Sequence, residues 1–105
     1  MRPVKITMDR FEEAVTEAID SIPDTFQPYL EGIEFVVAES SPEGNLGLYE
    51  GATALHHDWP QRITVYKRPH EKSADSWREL VSEIQRTILH EVGHHFGMEE
   101  HELPY

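Results

Sequence analysis

The stretch from His90 to His94 reads H-E-x-x-H, and it constrains this chain more than any other part of the sequence. Residues four apart on an α-helix lie on the same face, one turn apart, so His90 and His94 can both reach one metal ion. Glu91 projects about 100° further round the helix, where it can contact a water molecule beside that ion. Two ligands, a general base and an open coordination position are what a zinc hydrolase site requires.

The residues before the motif predict a long helix with a core face and a separate chemical face. Ser76 and Glu79 have the spacing of a capping box, which favours a helix beginning there. Apolar side chains then recur at helical intervals and form one stripe, which comprises Trp77, Leu80, Val81, Ile84, Ile88, Val92 and Phe96. His90 and His94 lie well away from the centre of this stripe, so we do not expect their side chains to pack in the core.

The end of this helix is predicted at a glycine. Gly97 stands where a C′ residue would sit, and it lets the chain turn sharply. Such a turn would bring either Glu100 or His101 back towards the metal as a third ligand. His95 lies nearer the apolar stripe than the metal face, so we expect it to be a partly buried structural residue.

The motif and two stretches before it carry a family resemblance. The run HEVGHHFGMEE, preceded by LGLYEG and RITVYKRP, resembles the small bacterial zincin-like metallopeptidases, also called minimal zincins. The family motif looks like H-E-x-x-H-x-x-G-x-x-D, and it is matched at His90, Glu91, His94 and Gly97. Glu100 stands where the family tends to have Asp. The resemblance covers nearly the whole chain.

The resemblance implies a fold, a cofactor and a set of site residues. The implied fold is α+β and minimal zincin-like, with a small mixed sheet of three or four strands packed against the long motif helix and an N-terminal helix. One zinc ion would be held by His90, His94 and Glu100, with Glu91 as the catalytic general base. His101 is an alternative third ligand, although it fits the metzincin spacing poorly.

A leading function and its principal alternative stay open at this point. The first is a zinc-dependent metallopeptidase that hydrolyses peptide bonds in a peptide or protein substrate. The second is a non-catalytic zincin-like protein that binds a partner, with the metal structural or absent. The small size of the chain favours the second, because little of it is left to build a specificity pocket. The sequence does not fix the oligomeric state.

The remaining elements follow from periodicity. Residues 8–22 keep helical spacing of apolar side chains and predict an amphipathic helix. Three segments rich in β-branched and aromatic residues predict strands, at 33–38, 46–51 and 61–68. By resemblance, residues 62–67 are expected at the edge of the sheet, bordering the substrate cleft. Pro69 is predicted to end the third strand, and the residues after it to connect to the long helix.

Other polar side chains are assigned supporting roles. His56 and His57 are adjacent, so on an extended chain they point to opposite faces, and we expect a loop rimming the cleft rather than a second metal site. Candidates to orient the ligand imidazoles are Glu83, Thr87 and Glu99. Candidates to stabilise an oxyanion are His70, His101 and Tyr105.

Composition bounds the remaining possibilities. A length of 105 residues suits one domain, spanning residues 1–105. The net charge of −11 disfavours nucleic-acid binding, because phosphate would be repelled. The sequence has no apolar run long enough to span a membrane and no recognisable signal peptide. It also has no cysteine, so disulfides and thiolate zinc sites are excluded, and we expect a cytoplasmic location without nucleic-acid or membrane partners.

Overall fold

The computed structural model describes residues 5–51 and 61–97, in which helices pack against one three-stranded sheet. The elements in chain order are α1 (Met8–Asp20), a 3-10 helix (Gln27–Leu30), β1 (Glu34–Ala38), β2 (Gly47–Glu50), β3 (Arg62–Tyr66), α2 (Lys67–Ser73) and α3 (Trp77–His95). This α+β architecture with a mixed sheet confirms the predicted fold class. No helix in the described ranges has both the length and the apolar character needed to cross a membrane.

β3 is the central strand of the sheet, and β2 is an edge strand among the strands described. β1 pairs with β3 in parallel and β2 pairs with it in antiparallel orientation, so Phe35 and Tyr49 both stand opposite Ile63. The prediction that residues 62–67 form the edge bordering the cleft is therefore wrong. That role falls to β2, which comes earlier in the chain.

Burial explains why the edge prediction failed. The edge position was expected from the family resemblance, and Ile63 and Val65 alternate with polar neighbours. Thr64 and Tyr66 are nevertheless buried, at 7% and 8% exposure, beside the apolar Ile63 and Val65. A strand with neighbours on both edges and side chains covered on both faces is central, whatever its polarity pattern suggests.

The hydrophobic core lies between α1, α3 and the sheet. The largest fully buried apolar side chains come from these elements and from the turn after α1, and they include Phe11, Ile22, Ile63, Leu80, Ile84 and Ile88. The two long helices contact each other along their apolar stripes. A hydrogen bond also connects the two helices near the surface, where the Trp77 indole donates to the Glu17 carboxylate at 2.6 Å.

Both long helices begin after a residue whose side chain caps the first turn, and Ser76 is the cap predicted for α3. The Thr7 hydroxyl accepts from the Arg10 backbone N–H at 3.2 Å, which makes Thr7 the N-cap of α1. The Ser76 hydroxyl accepts from the Glu79 N–H at 3.1 Å. The Glu79 carboxylate reaches back to the N–H of Asp75 at 2.7 Å, one residue before the donor of a standard capping box.

A short helix follows β3 directly, which the sequence analysis did not foresee. β3 ends at Tyr66, and α2 begins at Lys67 with Pro69 in its first turn. Backbone N–H groups in a first turn have no helical acceptor, so a proline there loses no hydrogen bond and need not end the structure. Lys67 is buried, and its ammonium pairs with the carboxylates of Glu71 at 3.3 Å and Glu39 at 3.5 Å.

His70 joins α2 to α3 from inside the core. Its side chain is 0% exposed, so the prediction that it could face an oxyanion is wrong. Its Nδ1 donates to the Tyr66 carbonyl at 2.6 Å, because that oxygen can only accept. In the neutral ring, Nε2 therefore accepts from the Thr87 hydroxyl at 2.8 Å. Burial lowers the pKa of His70 from its usual value of 6.5, although the Tyr66 hydrogen bond and the charge of Glu83 act in the opposite direction.

His70 should make the fold sensitive to acid. Its pKa is lower in the folded chain than in the unfolded chain, so below about pH 6.5 the unfolded state takes up more protons and stability falls as the pH drops towards the folded-state pKa. The expected loss is about 1.4 kcal/mol for each unit by which the pKa is lowered. Urea unfolding of the chelator-treated protein at pH 7.5 and pH 5 measures it.

A His70→Gln variant provides the control for this prediction. It should be less stable than the original protein at pH 7.5, because a buried hydrogen-bonding network is disturbed, yet it should lose less stability between pH 7.5 and pH 5. Equal losses in both proteins would assign the acid sensitivity to other groups.

Candidate metal site

Three side chains of the H-E-x-x-H motif converge on one point of α3. The candidate ligand atoms of His90, Glu91 and His94 all lie within 4.8 Å of one another. The two imidazole rings are 5.1 Å apart between centroids and inclined by 78°, and both residues are partly buried. The donor set of two imidazoles and a carboxylate suits zinc, and the spacing allows both imidazoles to bind one ion with the carboxylate beside it. The assignment of His90 and His94 as ligands and of Glu91 as the base stays a prediction.

The turn after α3 has the predicted geometry. Gly97 has a φ of +81°, a conformation that favours glycine, and its N–H donates to the His94 carbonyl at 2.9 Å. The candidate third ligands, Glu100 and His101, lie outside the described residues. Several supporting candidates from the sequence lie outside them as well, namely His56, His57, Glu99 and Tyr105.

The three converging side chains line a cleft between α3 and the edge strand β2. The cleft has a volume of about 670 Å³. One wall consists of residues 45–49, and the other of the polar face of α3, from Glu83 to His94. The two walls run in the same direction, because Gly47 lies against Thr87 and Glu91 while Tyr49 lies against His95 one turn further along.

Gly47 allows β2 to approach α3 closely. A Cβ atom at this position would lie 2.6 Å from Cγ2 of Thr87, 3.2 Å from the Thr64 carbonyl oxygen and 3.4 Å from Cγ of Glu91. The first of these distances is shorter than carbon atoms tolerate, so a larger residue would push the strand away from the helix. Thr87 is thus held on one side by His70 and on the other by the glycine. Thr87 was a candidate to orient a ligand imidazole. Its hydroxyl bonds instead to the buried His70.

Tyr49 is a cleft residue that the sequence analysis overlooked. Its hydroxyl donates to the Gln61 side-chain oxygen, and Nδ1 of His95 lies 3.0 Å from the same hydroxyl. Because the hydroxyl hydrogen goes to Gln61, the imidazole Nδ1–H donates to the tyrosine oxygen. Burial raises the pKa of Tyr49 and lowers that of His95, so both side chains are held neutral. The signal in the sequence was the two-residue spacing from Gly47, which places both residues on the strand face towards α3.

His95 has the structural role that was predicted for it. It is 6% exposed, and its ring packs edge to face against Tyr49, with the ring centroids 5.4 Å apart. It therefore fixes the end of β2 to the end of α3 rather than facing the cluster formed by His90 and His94.

The opposite end of the cleft carries a pair of charges. Glu83 and Arg86 precede His90 on α3 and both line the cleft. The Arg86 guanidinium lies 3.7 Å from the Glu83 carboxylate, and the two side chains are 63% and 32% exposed. At this distance and exposure the pair contributes less than about 1 kcal/mol to stability. Glu83 is thus engaged with Arg86 on the same cleft wall as His90, and its role in orienting a ligand imidazole stays a prediction.

Comparisons with known proteins agree with this architecture. The sequence profile of the family described as zincin-like metallopeptidase matches residues 1–105, the whole sequence. A solved structure of a conserved hypothetical protein from T. thermophilus is similar, with a TM-score of 0.55 and 25% sequence identity over 87% of this chain and 94% of that chain. No curated protein shows significant similarity to the sequence.

The contact between Gly47 and Thr87 can be tested with a pair of substitutions. Gly47→Ala should destabilise the protein by about 1–3 kcal/mol, because the new methyl group overlaps Cγ2 of Thr87. Adding Thr87→Ser removes Cγ2 and keeps the hydroxyl that bonds His70, so the double variant should regain at least half of the loss. Urea denaturation of the single and double variants measures both effects.

The matched control is Thr87→Ser alone. If the effects of the two substitutions simply add, the double variant will be the least stable, and the strand is then not limited by this contact.

Proposed function

Because the chain belongs to the zincin-like metallopeptidase family, we propose that it is a zinc-dependent metallopeptidase that hydrolyses peptide bonds. The observation that supports this most directly is the convergence of His90, Glu91 and His94 in the wall of an open cleft. In zinc hydrolases with this motif, the two imidazoles bind the metal and the carboxylate serves as the general base. The cleft gives a substrate access to them.

The residues that would hold the metal are His90 and His94, with Glu100 as the third ligand and His101 as its alternative. A bound zinc ion supplies Lewis acidity, which polarises a carbonyl group and lowers the pKa of an adjacent water molecule. The imidazoles must be neutral to bind a metal, so metal affinity should fall in acid. α3 holds the two imidazoles one turn apart on a rigid element, which limits the reorganisation needed on binding.

Glu91 is the proposed general base. Its position one residue after His90 places the carboxylate beside the two imidazoles rather than in line with them. The carboxylate accepts a proton from the attacking water and then passes it to the amine that leaves. Gly47 also lets β2 lie close to the Glu91 side chain, since a Cβ atom at Gly47 would be 3.4 Å from Cγ of Glu91.

The proposed substrate is an extended segment of a peptide or protein. β2 lies at the edge of the described sheet and forms one wall of the cleft. An edge strand can pair with an extended peptide through backbone hydrogen bonds, and this mode of binding depends little on side chains. Leu46 and Leu48, which are 41% and 38% exposed on this wall, offer apolar contacts to such a peptide.

An aromatic surface favours a second candidate function, that of a non-catalytic binding protein. Phe26, Tyr29 and Phe96 are each more than 40% exposed, and Tyr29 packs against both of the others, edge to face with Phe96 at 5.3 Å between ring centroids. Exposed aromatic clusters of this kind often mark protein contacts. In this case the zincin fold would be retained to bind a partner.

A Glu91→Gln variant should separate these functions. Without the base, hydrolysis should fall by a factor of about 100 or more, while zinc stays bound because the ligands are unchanged. The measurement is cleavage of a peptide library by mass spectrometry, beside the zinc content of each protein. Undiminished cleavage by a zinc-loaded Glu91→Gln protein would refute the role of Glu91.

Metal content is the second test of the proposal. Protein purified without added zinc should hold close to one zinc per chain, and His94→Ala should lose it, because a single remaining imidazole binds far more weakly. Atomic emission spectrometry measures this directly. Failure to bind zinc at neutral pH, even when it is supplied, would favour the binding protein over the peptidase.

A further inference from the structure

Arg86 occupies a position in the cleft that its weak contact with Glu83 does not explain. It is four residues before His90, and the two side chains therefore lie on the same face of α3. It lines the cleft, and among the described residues of the cleft wall it is the one permanent cation. Its contact with Glu83 is long, at 3.7 Å, and its side chain is 63% exposed. A guanidinium offers five N–H donors, so this contact leaves most of its binding capacity available.

Arg86 also lies at a defined distance along the cleft from the proposed base. Glu91 lies five positions after it on α3, which corresponds to roughly 7.5 Å along the helix axis. An extended peptide advances about 3.3 Å for each residue. A peptide in the cleft would therefore pass Arg86 two or three residues away from the bond beside Glu91.

The direction of the cleft walls decides whether Arg86 lies beside the peptide residues before the scissile bond or beside those after it. The wall formed by β2 and the residues just before it runs from Leu46 near the Arg86 end to Tyr49 near His95. Antiparallel pairing is the slightly more stable arrangement for an added strand. A peptide paired in this way enters beside Tyr49 and leaves beside Leu46, so the residues after the scissile bond pass Arg86.

We propose that Arg86 selects peptides that carry a carboxylate two or three residues after the scissile bond, an inference that rests on the proposed peptidase function. The carboxylate would be an aspartate or glutamate side chain, or the C-terminus of a short peptide. A guanidinium binds a carboxylate through two parallel hydrogen bonds, which fixes the position of the group as well as its charge. Arg86 is thus a specificity residue, and it takes no part in proton transfer.

The overall charge makes this selection sharper. At a net charge of −11 the protein repels anionic peptides in general. An acidic residue is therefore favoured where it meets Arg86 and disfavoured elsewhere along the peptide. Because Arg86 is exposed, the preference should weaken as ionic strength rises.

Binding can be measured separately from cleavage. The probes are three fluorescein-labelled alanine nonapeptides, blocked at both ends, which differ only in having Glu, Gln or Lys at the seventh residue. Their affinities for the zinc-supplied Glu91→Gln protein are measured by fluorescence anisotropy. The Glu peptide should bind about tenfold more tightly than the Gln peptide. Adding Arg86→Gln should remove this preference, and adding Arg86→Glu should transfer it to the Lys peptide.

The matched control removes the same charge elsewhere on the same helix. Arg78 is exposed on α3 and does not line the cleft, so Arg78→Gln changes the net charge as Arg86→Gln does. It should leave the Glu preference intact. Equal affinities for the Glu and Gln peptides, no measurable binding of the Glu peptide, or an equal effect of Arg78→Gln would each overturn the proposal.

Cleavage by the zinc-loaded protein with Glu91 intact then tests the position of the carboxylate. Mass spectrometry should place the cut two or three residues before the Glu. A cut after the Glu, or equal cleavage of all three peptides, would overturn Arg86 selection and leave the peptidase function standing. A Glu preference in binding with no cleavage of any peptide would support recognition by Arg86 and count against the peptidase function.

Discussion

The packing of α3 against α1 and β3 is the interaction on which the rest of this structure depends. Leu80, Ile84 and Ile88 have no exposed surface, and each such side chain contributes roughly 1.5–3 kcal/mol on burial. Net stabilities of domains this size are only about 5–15 kcal/mol, so these few contacts decide whether the chain folds. The opposite face of the same helix carries His90 and His94. Packing of this helix into the core therefore also holds the two imidazoles one turn apart beside the cleft.

Polar contacts connect the buried core to the two walls of the cleft. The buried His70 bonds Thr87 on α3, and the methyl group of Thr87 meets Gly47 on β2. At the other end, His95 bonds Tyr49 of the same strand. The strand that forms one wall of the cleft is thus fixed to the helix that forms the other at two points. Among the described residues, these contacts set the distance between the two walls of the cleft.

The sequence predicted what depends on local patterns. The cap at Ser76, the glycine turn at Gly97 and the structural role of His95 all follow from spacing along α3, and the structure has them. It did not predict what depends on which strands become neighbours. Strand order is decided by long-range packing, so the central position of the third strand was missed, and with it the part played by Tyr49.

One consequence of Gly47 concerns how β2 finds its place in the sheet. A four-residue edge strand has few contacts to define its register, and a slip by one residue turns every side chain to the other face. Such a slip would place Leu48 where the methyl group of Thr87 leaves no space for a side chain. It would also turn Tyr49 away from its bond with His95. The small size of Gly47 thus favours the observed register of β2 over a register shifted by one residue.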